Sequence, residues 1–174
     1  MCQAFLHADF LLGCAMFYKS FIVACFVLCA FSFSARADVT VGDPAPLLVA
    51  KALDGSAVDL AKLKGRTVIV YLWQTQCKSC VADLKSLRDF YNVNEDKGLA
   101  VVALSADPPQ LQYVAEEDSA MVDYPVVIAS KAEKNGFTMP KTFPRIYIIG
   151  KDGTVRGIYP TLPQGDALLK AVFG

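Results

Sequence analysis

Cys77-Lys78-Ser79-Cys80 holds the only two cysteines beyond residue 37, and a pair at this spacing can pass between dithiol and disulfide. Rival uses of the two sulfurs can be weighed from the rest of the chain. A zinc site needs two more good ligands, yet residues 38–174 contain no other cysteine and no histidine, the single histidine being His7. A purely structural bridge across so short a loop would restrain little chain entropy. Cu(I) held by two soft thiolates is the more serious rival, with Met121 and Met139 as further soft donors. The missing imidazole also excludes Ser-His-Asp and Cys-His relays in this stretch. A formal net charge of zero argues against a nucleic-acid partner, which leaves a basic footprint. What remains is chemistry on sulfur.

Reactivity depends on the elements that hold the pair. Thr67–Trp73 (TVIVYLW) is a continuous apolar, β-branched run, which predicts a strand buried on both faces. From Cys80 onward Val81, Leu84, Leu87 and Phe90/Tyr91 recur at spacings of three and four among charged residues, predicting an amphipathic helix closed by Gly98. The first cysteine then stands at a helix N-terminus, where unsatisfied N–H groups and the helix dipole lower a thiol below its free value of about 8.5. Lys78 adds a nearby positive charge. Cys80 falls one turn in on the same face, a spacing compatible with a disulfide. In this arrangement exposed Cys77 attacks a substrate disulfide, and the more buried Cys80 resolves the mixed disulfide.

The remaining elements follow from pattern. Leu47–Leu53 reads as a short strand, Ala57–Lys64 as a short helix or loop, Leu99–Leu104 as a second buried strand and Val126–Ala129 as a third. Asp107-Pro108 predicts a helix start with aspartate as cap. Arg145–Ile149 and Val155–Tyr159 flank an Asp-Gly hairpin signal, and Gln164–Phe173 reads as a final helix. The result is one α/β domain with a mixed central sheet flanked by helices on both faces and an N-terminal extension.

Residues 1–37 differ in composition, holding four of the six cysteines and 28 apolar residues. Met16–Ala37 has a lysine near its front, an apolar run Phe21–Phe33 and Ala35-Arg36-Ala37 as a small-x-small cleavage site, the layout of an export signal. Residues 1–15 carry Asp9 and no lysine or arginine, so Met16 is the expected start. The alternative is an uncleaved anchor over Phe10–Phe33. The division is therefore a leader at 1–37 and a domain at 38–174, in a periplasmic or otherwise exported protein. Membrane contact would come only through a retained leader. Disulfides persist in such compartments.

Tyr71-Leu72-Trp73-Gln74-Thr75-Gln76-Cys77-Lys78-Ser79-Cys80, Phe143-Pro144-Arg145-Ile146-Tyr147-Ile148-Ile149 and the Lys151-Asp152-Gly153 turn resemble the thioredoxin superfamily. The nearest branch in pattern is the exported TlpA/ResA-like thiol-disulfide oxidoreductases, a redoxin or AhpC-TSA-like group, and the resemblance covers Val41 to Phe173. It implies a thioredoxin fold and a protein disulfide reductase acting in protein or cytochrome c maturation. Its only redox group would be the Cys77–Cys80 couple, with no metal and no separate cofactor. It implies a monomer whose partners are protein thiols or disulfides and an upstream redox protein. Pro144 would be a cis-proline facing the cysteines, and the Phe143 backbone would bond the substrate peptide. Trp73 would pack beside the site and contribute to substrate binding, or else serve as a core aromatic. Asp83 would accept the Cys80 proton, its other reading being a solvated helix aspartate.

Departures from the family pattern bear on tuning. Gln76 stands where an aromatic is common, Lys85 where the helix often has a proline, and Tyr71 where many relatives have a polar residue. Lys78 and Ser79 form an uncommon dipeptide between the cysteines, placing the redox potential under their influence. A peroxiredoxin fits worse, because the proline and threonine expected before its cysteine are absent. The alternative function is a Cu(I) metallochaperone of the same fold.

Overall fold

The computed structural model describes residues 38–174, and the expectations for the leader at 1–37 lie outside the described residues. The central sheet has five strands in the order β5-β4-β3-β7-β8. β3 (Thr67–Trp73) is the middle strand, parallel to β4 (Leu99–Ser105) and antiparallel to β7 (Arg145–Ile149). All seven residues of β3 and all seven of β4 are buried, which is why both read as unbroken apolar runs. β5 (Val126–Ile128) extends the parallel side, and β8 (Val155–Tyr159) closes the hairpin with β7.

Alternation along β3 divides the core in two. Ile69, Tyr71 and Trp73 face α1 (Lys78–Asn94), α2 (Gln112–Ser119) and α3 (Asp166–Phe173), which contribute Cys80, Leu84, Leu87, Ala115, Leu168 and Val172. Leu84 and Leu87 are fully buried, and each stabilises the helix–sheet contact by about 1.5–3 kcal/mol. Val68, Val70 and Leu72 face the other way. There the cover is a second, three-stranded sheet in the order Ala57–Asp59, Leu48–Lys51, Lys134–Asn135, with the 3₁₀ turn Leu60–Leu63. Among the described residues the α-helices thus share one face, and the helical elements packed on the opposite face are two 3₁₀ turns, Leu60–Leu63 and Ala129–Lys131.

Several local expectations change. The segment read as a short helix or loop at 57–64 divides into β2 (Ala57–Asp59) and the 3₁₀ turn, with Asp59 accepting the Ala61 N–H. The first strand is shorter than expected, β1 (Leu48–Lys51). β6 (Lys134–Asn135), absent from the sequence reading, pairs antiparallel with β1. Asp107 does not cap a helix. A 3₁₀ turn at Pro109–Leu111 leads into α2, and the Asp107 carboxylate turns back to accept from Thr75 and Ser105. The aspartate finds its donors in a neighbouring loop instead of in the helix that follows.

Candidate active site

The site forms where β3 and β4 end. Trp73 is in register with Ser105, and Leu72 with Arg145, so the loops after β3 and β4 and the segment before β7 meet at one edge of the sheet. This is where open α/β sheets commonly place their chemistry. After β3, the Cys77 N–H donates to the Gln74 carbonyl at 3.1 Å, turning the chain into α1. Cys77 is the N-cap of that helix, and its sulfur accepts the Cys80 N–H at 3.2 Å. The expected helix start is therefore observed, with the sulfur taking the place of a capping oxygen.

Cys77 and Cys80 form a disulfide, with sulfurs 2.02 Å and α-carbons 5.2 Å apart. The two sulfurs differ in access. Cys80 is 0 % exposed and belongs to the helix-side core, whereas Cys77 is half-buried at its margin. The Ser79 hydroxyl lies 3.4 Å from the Cys77 sulfur and the Phe143 carbonyl oxygen 3.7 Å from it. Lys78 and Ser79 are both exposed beside the pair. The Phe143–Pro144 bond is cis, and Phe143 packs against both core clusters with Pro144 buried behind it.

Trp73 requires a correction. It is 0 % exposed within the helix-side core, and its Nε1 has no hydrogen-bond partner among the described residues. A side chain without surface cannot contact a docked substrate, so the core reading replaces the binding one. Asp83 is half-buried, one helical turn beyond Cys80. Burial raises its pKa above the ordinary aspartate value, and a hydrogen bond from Tyr71 partly opposes that rise. Met121 and Met139 are both half-buried; Met139 packs on the sheet-covered core, opposite the face that holds the cysteines.

Two further groups belong to this site. Tyr71 is fully buried, and its hydroxyl donates to the Asp83 carboxylate at 3.1 Å and lies 3.3 Å from the Cys80 carbonyl. Burial, then the Asp83 charge, pushes the Tyr71 hydroxyl far above its usual pKa, so it stays a donor. A tyrosine inside an otherwise apolar strand is the signal available in the sequence, since a buried hydroxyl needs a partner. The second group is Asp107, which accepts the Thr75 N–H at 3.0 Å and the Thr75 hydroxyl at 2.9 Å.

With this geometry in view, the comparisons with known proteins converge. The chain matches the AhpC/TSA family over residues 41–158. It belongs to that family. It is 29 % identical over 126 residues to a thiol-disulfide oxidoreductase ResA of Bacillus cereus, covering 71 % of each chain. The ResA of a second Bacillus cereus strain is 30 % identical over 128 residues, again covering 71 % of each. Among solved structures, the thioredoxin domain of a Bacteroides vulgatus thiol-disulfide oxidoreductase superposes with a TM-score of 0.60 at 21 % identity, covering 78 % of this chain and 96 % of that one. A Chlorobium tepidum chain assigned as the thiol:disulfide interchange protein DsbE gives 0.65 at 20 % identity, covering 78 % and 99 %. The fold of residues 38–174 is the thioredoxin fold.

Proposed function

We propose that this thiol-disulfide oxidoreductase works outside the cytoplasm as a reductant of protein disulfides, in the maturation of exported proteins such as c-type cytochromes. One observation carries the direction of attack: within the Cys77–Cys80 bridge, Cys77 has surface and Cys80 has none. In the reduced protein the Cys77 thiolate attacks one sulfur of a substrate disulfide. The substrate S–S bond breaks, one substrate sulfur leaves as thiolate, and a mixed disulfide to Cys77 forms. Cys80 then gives up its proton and attacks the Cys77 sulfur, expelling the second substrate thiolate and closing the Cys77–Cys80 disulfide. The substrate gains two electrons, and an upstream dithiol protein must supply two more to reopen the Cys77–Cys80 disulfide, becoming oxidised to a disulfide itself.

The chain's own groups suit these steps. The Cys80 N–H and the start of α1 offer positive potential to a Cys77 thiolate, and Lys78 lies beside it. Phe143, with its carbonyl near the Cys77 sulfur, offers backbone for a substrate strand, with Pro144 behind it. Asp83 is the nearest carboxylate in sequence on the Cys80 helix, and burial raises its pKa above the ordinary aspartate value, which makes it a stronger proton acceptor than an exposed aspartate. Export, and with it an oxidising location, is supported by the layout of Met16–Ala37.

Reduction of insulin by the dithiothreitol-charged protein tests the reading. Turnover that Cys77→Ser abolishes is expected. Tight stoichiometric Cu(I) binding without any reductase activity would favour the metallochaperone instead.

A further inference from the structure

The chain keeps a buried carboxylate that the exchange steps above do not use. Asp107 is 4 % exposed, and no lysine or arginine pairs with it among the described residues, where the one ion pair is Arg88–Asp89. A buried charge is costly unless hydrogen bonds replace its lost water, and packed apolar groups would often serve stability as well. Every donor that Asp107 holds comes from two places. Ser105, at the end of β4, gives its hydroxyl at 2.8 Å. Thr75, in the loop before Cys77, gives both its hydroxyl at 2.9 Å and its backbone N–H at 3.0 Å.

The rest of that loop is tied to the same strand end. The Gln74 amide donates to the Ala106 carbonyl at 3.1 Å, and the Ala106 N–H donates to the Trp73 carbonyl at 2.9 Å. Gln74 in turn accepts the Cys77 N–H. The loop that presents the sulfur is therefore joined to β4 through one carboxylate and a short ladder. Only the Asp107–Thr75 tie runs through charge, and it lies two residues from Cys77. Hydrogen bonds to a charged group are stronger than neutral ones, so this tie dominates the restraint.

We propose that Asp107 is a positioning residue for the exchange reaction: through Thr75 it locks the Gln74–Gln76 loop and so holds the Cys77 sulfur against the first N–H groups of α1. The proposal rests on Cys77 being the attacking thiol. It predicts that loosening Thr75 changes the chemistry of Cys77, while loosening the Ser105 side of the same carboxylate changes only stability. Ser105 lies in β4 and touches no part of the loop that carries Cys77 through its hydroxyl bond.

The test is the pH profile of iodoacetamide alkylation at Cys77 in the fully reduced protein, read beside thermal unfolding, for wild type, Thr75→Val, Thr75→Ser and Ser105→Ala. Thr75→Val removes one donor while leaving the carboxylate and the backbone N–H in place. It should move the alkylation midpoint to higher pH and slow the neutral-pH rate about three- to tenfold, because the rate follows the thiolate fraction. Thr75→Ser should restore the wild-type profile, and Ser105→Ala should lower the melting temperature with the profile unmoved. Equal profiles for Thr75→Val and wild type, or equal displacement by Thr75→Val and Ser105→Ala, would overturn the proposal. Its parent reading fails separately, by a wild-type protein whose Cys77 alkylates no faster than a free thiol.

Discussion

Replacing Tyr71 by phenylalanine deletes a single oxygen and tests whether the Tyr71–Asp83 pair serves resolution by Cys80. The hydroxyl makes its bonds at 3.1 Å to Asp83 and 3.3 Å to the Cys80 carbonyl. A hydrogen bond to a charged group contributes about 1.5–3 kcal/mol. The loss is reduced here, because half-buried Asp83 can recover water and the Cys80 carbonyl lies in a helix. A net destabilisation of about 1 kcal/mol follows, equal to a factor of about five in a rate if the same bond orients the base. Ellman's reagent separates the steps: attack by Cys77 releases the first aromatic thiolate, and attack by Cys80 releases the second. In Tyr71→Phe the first phase should be unchanged and the second about fivefold slower. The Tyr71 hydrogen bond lowers the Asp83 pKa, so its loss raises it and moves the acid limb of the second phase to higher pH. Equal slowing of both phases, or no slowing of the second, would refute this account of the pair.

Other outcomes follow from the same geometry. Burial raises the Asp83 pKa in the fold, so the stability this group contributes is full below the ordinary aspartate range and is lost as pH rises through the folded value. Asp83→Asn should accordingly match wild type in acid and be more stable at neutral pH by urea midpoint, while resolving mixed disulfides more slowly. Cys80→Ser should accumulate a stable mixed disulfide with a peptide substrate, detected as an intact-mass adduct that excess thiol removes. Leu84→Ala, at a fully buried position under the site, should cost about 2–5 kcal/mol in chemical denaturation.

The parts of the fold legible in the sequence are those whose residues alone decide the outcome. Thr67–Trp73 and Leu99–Ser105 lie buried on both faces, so their apolar runs carry the signal without help from partners. Cys77 and the helix after it are legible because apolar spacing and the cysteine pair coincide in one short segment. β6 is not, since Lys134 and Asn135 are polar and become a strand only by pairing with β1. Asp107 misleads because Asp-Pro has the form of a helix start, while its actual donor, Thr75, lies 32 residues away. Tyr71 stands out by type, but its partner Asp83 comes to it only when α1 folds back over β3. Trp73 cannot be assigned between core and surface from type alone, and its complete burial decides it.

A redox titration of the Cys77–Cys80 couple against glutathione, with acid trapping and mass detection, meets the central claim most directly. The exchange reading predicts one reversible two-electron transition within the range of about −270 to −120 mV spanned by thioredoxin-fold couples. A bridge that stays oxidised to below about −300 mV, as structural disulfides do, would contradict it.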